Sequence, residues 1–242
     1  MADIFELFKK IASGRKEPVG SPTHIVAGLG NPGEKYSRTR HNAGFLAMDF
    51  IAEKYQLGKF RPRFKAAVAE GVVDGKRVLF MKPQTYMNNS GEALREAADY
   101  YKIPPEHIVV ISDDVNLAPG VVRIRDSGSD GGQKGLASVI THMNTDKIPR
   151  MRIGVGAKPR PDYEMADWVL GEIPAGDREA MFDAFCRVAD ALPLVLDGQF
   201  AEAASRYNGK PKSAEPEESK AEQTSLPEGA SATSEVSAGG VE

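Results

Sequence analysis

The sequence contains little cysteine, few aromatic residues and no long apolar run. With Cys186 as the one cysteine among 242 residues, neither a disulfide framework within the chain nor a CxxC metal or redox site can form. No run approaches the roughly 18 apolar residues that a membrane-spanning helix needs. Residues 1–16 contain the acid Asp3 and no long apolar stretch, unlike a secretory signal. We therefore expect a cytoplasmic protein that does not associate with a membrane.

The charge is unevenly distributed along the chain. The formal net charge is −3, but residues 208–242 alone carry −4, from seven glutamates and three lysines. This segment has no aromatic residue, so it cannot bury enough apolar surface to offset the entropy cost of ordering. We predict a disordered acidic tail over 208–242.

The N-terminal residues 1–22 form a second predicted appendage. Its apolar side chains recur at spacings that suit a short amphipathic helix: Ile4, Phe5, Leu7, Phe8 and Ile11. A segment rich in glycine and proline follows, as in a linker. The helix could pack loosely on the domain or lie on a membrane surface. The remaining residues, 23–207, are long enough for one core and form the predicted folded domain.

Apolar patterning predicts the elements of this domain. Short apolar runs predict strands over residues 24–29, 66–73, 77–81, 107–112, 121–124, 151–155 and 168–170. Helical spacing predicts helices over residues 42–55, 90–101, 136–142, 177–192 and 200–207. Because strands alternate with helices, we predict an α/β fold: a single-domain, three-layer α/β/α sandwich with a mixed, mostly parallel twisted sheet.

A glycine-rich segment, 28–33, matches the GxGxxG pattern of dinucleotide-binding proteins. In those proteins a helix begins within the motif. Here Pro32 interrupts it, a polar loop follows over 34–40, and the apolar helical pattern begins only near Asn42. A nicotinamide-dependent oxidoreductase therefore remains only as an alternative.

A second glycine-rich segment, 128–135, resembles a phosphate-binding loop. Its Lys134 is followed by Gly135, whereas a P-loop has a serine or threonine there to bind magnesium. The segment nevertheless places exposed backbone N–H groups, such as that of Gly131, where ligands bind in α/β sheets.

Four polar residues follow predicted strands or precede predicted helices: Asn31, His41, Asn88 and Asp113. Each alone could be an ordinary turn or capping residue. Parallel strands would bring all four to one edge of the sheet. A histidine base, a supporting carboxylate and asparagine amides suffice for ester hydrolysis by activated water. Since there is no GxSxG motif and Cys186 lies on a late helix, we favour water over a protein nucleophile.

Five segments together resemble the bacterial peptidyl-tRNA hydrolase family, in that family's order and over about 23–207. They are GLGNPGEKYSRTRHNAG (28–44), KPQTYMNNSG (82–91), DDVNLAPG (113–120), GSDGGQKGL (128–136) and RMRIGVG (150–156). The resemblance implies cleavage of the ester between a nascent peptide and the 3′ ribose of tRNA. It implies no metal and no organic cofactor, and we expect a monomer.

The resemblance also implies roles for individual residues. His41 matches the catalytic base and Asp113 the acid that supports it. Asn31 matches the residue that separates blocked from free aminoacyl-tRNA, and Asn88 matches a substrate-positioning amide. Three further positions match neighbours in the substrate cleft: Tyr36, Tyr86 and Met87.

Binding of the tRNA acceptor stem and 3′ end requires cations that contact phosphates. We predict that one set of basic residues lies near the cleft, although an ordinary solvated face is the alternative: Arg123, Arg125, Lys134, Arg150 and Arg152. Tyr36 and Tyr86 could stack on the terminal adenine or simply pack in the protein.

The glycine-rich loop departs from the family pattern. Where the family has GGHNG, residues 131–135 read GGQKG, so Gln133 replaces the histidine and Lys134 the asparagine. The lysine could contact a phosphate or the oxyanion. A non-catalytic RNA-binding relative, like the organellar intron-splicing proteins that resemble this family, therefore stays open. Because His41 and Asp113 are retained, we favour an active enzyme.

Overall fold

The computed structural model describes residues 20–209 of the chain. The predicted amphipathic segment near the N-terminus and all but the first two residues of the predicted acidic tail lie outside the described residues.

A seven-stranded mixed sheet forms the middle layer of the described chain. Its strands are β1 His24–Gly28, β2 Arg61–Arg63, β3 Ala66–Val73, β4 Lys76–Pro83, β5 Ile108–Asp114, β6 Val122–Arg125 and β7 Arg150–Gly154. They lie in the order β2-β3-β4-β1-β5-β7-β6. The four neighbours β4, β1, β5 and β7 run parallel, while β2, β3 and β6 add antiparallel pairs at the two edges. The parallel strands therefore all end at one edge of the sheet.

Helices cover both faces of the sheet. The α-helices of the described residues are α1 Ala43–Lys54, α2 Ser90–Tyr101, α3 Lys134–Met143, α4 Met165–Leu170, α5 Arg178–Leu196 and α6 Phe200–Tyr207. On one face α1 and α5 pack against alternate sheet residues such as Val26. On the other face α2 and α3 pack against the intervening residues, such as Ile25 and Ala27. The predicted three-layer α/β/α sandwich is confirmed.

The prediction was wrong for two elements. Residues 168–170, predicted as a strand, belong to helix α4; a short apolar run does not distinguish a strand from a helix by periodicity. Strand β2, Arg61–Arg63, was not predicted, because its three residues are exposed and carry no apolar pattern. The antiparallel pairing with β3 places Pro62 on an edge strand, where a missing N–H donor is tolerated.

Close backbone packing explains the first glycine-rich segment. A Cβ atom on Gly28 would lie 2.2 Å from the carbonyl oxygen of Gly44, at the start of α1. A Cβ atom on Gly44 would lie 2.4 Å from the carbonyl oxygen of Ile111 and 2.5 Å from the amide nitrogen of Leu29. Only glycine lets α1 approach β1 and β5 this closely. Gly28, the first glycine of the GxGxxG-like segment, thus has a packing role that requires no dinucleotide.

A buried histidine at the opposite edge of the sheet makes stability depend on pH. The ring of His24 stacks on His107 at 4.4 Å. Burial, together with His107 and Lys76, lowers the pKa of His24 from 6.5 to about 4. The unfolded chain therefore binds more protons than the native protein between these values. The native state that holds His24 neutral is therefore at its full stability above pH 6.5. It loses stability as the pH falls towards 4.

We expect the wild-type free energy of unfolding to fall by up to about 3 kcal/mol between pH 7 and pH 4.5 through this residue. The variant His24→Gln should show a flatter dependence, because glutamine does not titrate. Urea denaturation across this range measures the difference, with His142→Gln as the control. Parallel pH curves for wild type and His24→Gln would contradict the assignment.

Candidate active site

A cleft of about 570 Å³ lies at the edge where the parallel strands end. Nearly all of the sequence-predicted site residues line it: Asn31, Tyr36, His41, Tyr86, Met87, Asn88, Asp113, Gly131, Lys134 and Arg152. The exceptions are Arg123, Arg125 and Arg150. The parallel topology brings the loops after β1, β4, β5 and β7 together. Residues up to 121 positions apart in the sequence therefore lie in one cleft.

His41 and Asp113 form a hydrogen-bonded pair in this cleft. His41 lies in the short 3₁₀ turn Arg40–Asn42 before α1, and Asp113 lies near the end of β5. The His41 Nδ1 atom is 2.9 Å from Asp113 Oδ2, with the two side chains 12% and 2% exposed. Because the carboxylate occupies Nδ1, the imidazole Nε2 is the nitrogen left to accept a proton. This is the arrangement of a general base held by an acid.

Asn31 is fixed by its neighbours on both its backbone and its side chain. Asn42 Oδ1 accepts from the Asn31 backbone N–H at 2.8 Å, and Asn42 Nδ2 donates to the Asn31 carbonyl oxygen at 3.0 Å. Asn31 Oδ1 accepts from the Met87 backbone N–H at 2.8 Å. The Asn31 Nδ2 donor has no partner among residues 20–209, so it is available to a bound molecule. Sequence reasoning noted Asn42 only as part of a motif, but it is this residue that joins the end of β1 to the start of α1.

The loop before α2 carries a strained residue. Tyr86 has φ 58° and ψ 159°, a conformation that residues with a side chain rarely adopt. Its side chain is 55% exposed at the cleft. The following 3₁₀ turn, Met87–Asn89, buries Met87 and leaves Asn88 exposed in the same cleft. The strained backbone therefore places two of the predicted substrate-contacting side chains at the opening.

Gln133 contacts Asp113 in the cleft, and sequence reasoning assigned it no role. It is the N-cap of α3, and its Oε1 atom accepts from the Leu136 backbone N–H at 2.6 Å. Its Nε2 atom donates to Asp113 Oδ1 at 2.9 Å. Glutamine is not among the preferred N-cap residues, so the sequence carried no signal for the cap. The sequence marked this residue only because it departs from the GGHNG pattern of the family.

Arg152 and Lys134 place positive charge in the cleft. Gly131 has φ 62°, and a Cβ atom there would lie 2.0 Å from a terminal guanidinium nitrogen of Arg152. The Arg152 Nε atom is 3.1 Å from Asp114 Oδ2, so that charge is partly balanced. Lys134 is exposed and forms no ion pair within the part of the chain that the structure describes. Lys134 is therefore the cation better placed to meet an anionic ligand.

The other predicted cations do not lie in the cleft. Arg123 and Arg125 are exposed on the edge strand β6, because Val122 and Ile124 alternate with them and face the core. Arg123 pairs across the strands with the cleft residue Arg152, so this edge adjoins the cleft without lining it.

Arg150 was predicted wrongly, since it is only 1% exposed. Its guanidinium donates to four backbone carbonyl oxygens, those of Gly128, Ser129, Asp146 and Ile148. Burial lowers the pKa of Arg150. This arginine holds the glycine-rich loop in place and does not face solvent.

Helix α4 forms an apolar wall of the cleft. It contributes Met165, Val169 and Leu170 to the lining. The helix is attached to the loop that carries His41, because the Arg40 guanidinium lies 3.6 Å from the centre of the Trp168 ring. Because residues 168–170 were predicted as a strand, the sequence did not indicate this wall.

Within residues 20–209, no cluster of three or more histidine, cysteine or acidic residues is arranged to hold a metal ion. No helix in the same range is long and apolar enough to cross a membrane.

Comparison with known proteins agrees with the motifs. The family model described as peptidyl-tRNA hydrolase matches residues 25–216. A curated peptidyl-tRNA hydrolase of Lachnospira eligens is 42% identical over 186 residues, which cover 77% of this chain and 100% of that protein. One from Caldicellulosiruptor bescii is 43% identical over 186 residues, covering 77% and 97% of the two chains.

The solved structures agree as well. The crystal structure of peptidyl-tRNA hydrolase from Acinetobacter baumannii superposes with a TM-score of 0.73 at 31% identity. The match covers 79% of this chain and 98% of that one. Fold, ordered motifs and near-complete coverage of the relatives lead to one conclusion: the chain belongs to the peptidyl-tRNA hydrolase family.

Proposed function

We propose that this hydrolase cleaves the ester bond of peptidyl-tRNA with a water molecule that His41 activates. The observation that carries the proposal is the 2.9 Å bond between His41 Nδ1 and Asp113 Oδ2, which leaves Nε2 as the basic atom. Asp113 would stabilise the imidazolium that forms when His41 takes a proton.

In the proposed reaction the water oxygen attacks the carbonyl carbon of the ester while its proton passes to His41 Nε2. The tetrahedral intermediate then expels the 3′ ribose oxygen, which receives the proton from the imidazolium. The products are a peptide with a free carboxyl group and a tRNA with a free 3′ hydroxyl. The ammonium of Lys134 is the candidate to balance the negative charge that develops on the carbonyl oxygen, because no ion pair within residues 20–209 occupies it.

We assign recognition of the peptide to the two asparagines. The unpartnered Nδ2 donor of Asn31 suits the carbonyl oxygen that a peptidyl or N-blocked substrate carries next to its ester-linked residue. An unblocked aminoacyl-tRNA has a charged amino group there and lacks this acceptor. Asn88, exposed on the neighbouring turn, is proposed to hold the substrate against His41.

For the tRNA, we propose that the 3′ end enters the cleft and that Tyr36 or Tyr86 stacks on the terminal adenine. Lys134 and Arg152 would contact phosphates within the cleft, while Arg123 and Arg125 would contact the acceptor stem from the edge of the sheet.

All of these groups belong to one chain, so we propose a monomer. Because the substrate arises in translation, we also propose that the enzyme acts in the cytoplasm.

The double variant Arg123→Ala/Arg125→Ala should raise KM and reduce the dependence of KM on salt concentration. Each lost phosphate contact should lower the slope of log KM against log salt by about 0.7 to 0.9. The matched control is Arg61→Ala/Arg63→Ala, which removes two exposed arginines from the opposite edge strand, β2. An unchanged slope in the first variant would assign RNA binding to another surface.

The proposed function is tested by the release of free tRNA from N-blocked and from unblocked aminoacyl-tRNA. We expect cleavage of the blocked ester only. If the wild type bound tRNA but cleaved neither substrate, the alternative of a non-catalytic RNA-binding relative would replace the proposal.

A further inference from the structure

We propose that Gln133 is a positioning residue, which acts through Asp113 to set the orientation and the tautomer of His41. This inference rests on the proposed function, in which His41 is the base. A glutamine stands at this point of the loop, where the resemblance leads one to expect a histidine.

The orientation of the Gln133 amide follows from its contacts. A backbone N–H can only donate, so the atom that faces Leu136 N at 2.6 Å is the carbonyl oxygen Oε1. The other end, which faces Asp113 Oδ1 at 2.9 Å, is therefore the NH₂ group. The same NH₂ group lies 3.1 Å from the Met87 sulfur. With Gln133 buried, the amide is locked at both ends and cannot turn over.

The locked amide in turn fixes the carboxylate of Asp113. Oδ1 accepts from Gln133 and Oδ2 faces His41 Nδ1, each at 2.9 Å, so each oxygen has a fixed partner. A carboxylate between two donors can only accept, which requires the hydrogen of His41 to be on Nδ1. The basic lone pair is then on Nε2. Gln133 and Asp113 are both buried, at 7% and 2% exposed.

The competing explanation is that Gln133 acts only as a helix cap. The two explanations predict different kinetics for the variants below. Asparagine caps helices well but is one methylene shorter, so Gln133→Asn retains a cap for α3 and loses the contact with Asp113. We expect about a tenfold fall in kcat, with KM within twofold of wild type, because the base is misoriented while the substrate contacts remain. The matched control is Gln199→Asn, at the N-cap of α6, where the glutamine makes no capping bond. It should leave both constants unchanged.

The second test exchanges donor and acceptor. In Asp113→Asn alone, the new amide must turn its oxygen to the Gln133 NH₂ group and its nitrogen to His41, which forces the wrong tautomer. In the double variant Asp113→Asn/Gln133→Glu, the new carboxylate at position 133 still caps Leu136 but accepts from the new amide. The amide oxygen then faces His41 again. We expect the double variant to recover about tenfold in kcat over Asp113→Asn.

The two tests separate the possible outcomes. Wild-type kcat in Gln133→Asn, or no recovery in the double variant, would overturn the positioning role. A fall in the Tm of Gln133→Asn by more than a few degrees would make its kcat reflect stability as well as positioning. In that case the recovery of kcat in the double variant tests the positioning role, because glutamate at position 133 keeps the length and the cap of glutamine. A wild type that cleaves no ester would instead count against the proposed function.

Discussion

The variant His41→Ala should lower kcat for hydrolysis of N-blocked aminoacyl-tRNA by about 10³-fold, within the range that a general base contributes. Alanine removes the only imidazole that residues 20–209 contribute to the cleft lining and leaves water to attack without a proton acceptor. The KM should change little, because the asparagines, tyrosines and cations that we assign to substrate binding remain. Single-turnover release of tRNA measures the effect.

Two controls make this result specific. His142→Ala removes a partly exposed histidine from α3, outside the cleft, and should retain wild-type kcat. The Tm of His41→Ala should lie within a few degrees of wild type, because the imidazole ring packs in an open cleft rather than in either apolar core. Retention of wild-type turnover by His41→Ala would show that another group is the base.

The variant Asp113→Asn is expected to lower kcat by about 10²-fold while preserving the shape of the site. The new amide has one acceptor and one donor, and Gln133 donates to the oxygen that lies nearer to it. The amide nitrogen must therefore face His41 Nδ1. That contact forces the imidazole hydrogen onto Nε2, so the nitrogen that faces the cleft loses its basic lone pair.

The kinetic assay for Asp113→Asn is paired with Asp99→Asn, a change of the same type in an exposed ion pair on α2. Asp99→Asn should leave kcat unchanged. Wild-type kcat in Asp113→Asn would mean that the tautomer of His41 is set by something other than this carboxylate. A rise in KM with unchanged kcat would assign Asp113 to substrate binding instead.

Sequence patterns predict this site well where the fold topology alone determines position. At the edge where the parallel strands end, Asn31 follows β1, Asp113 lies near the end of β5, and His41 and Asn88 precede helices. Any fold with these strands in parallel would bring those positions together. The three layers were predictable for a similar reason, because continuous apolar runs such as β5 require cover on both faces.

Patterns fail where position depends on the direction of a side chain. Arg123 and Arg150 lie on neighbouring strands, yet one is exposed and the other is enclosed by four backbone carbonyl oxygens, two of them from the glycine-rich loop. Gln133 matters through a contact with a residue 20 positions away, which no local rule describes. Helix α4 was missed because a short apolar run fits a strand equally well.

The direct backbone contact between Gly28 and Gly44 links the geometry of the site to the integrity of the whole domain. His41 precedes α1 by two positions, and α1 rests on the main chain of β1 and β5 without an intervening side chain. At Gly28 and Gly44, no side chain separates the helix that follows the base from the sheet that carries Asp113. Partial loosening of the described domain that leaves the sheet intact should then spare the enzyme. On heating, inactivation and unfolding of the sheet should share one midpoint.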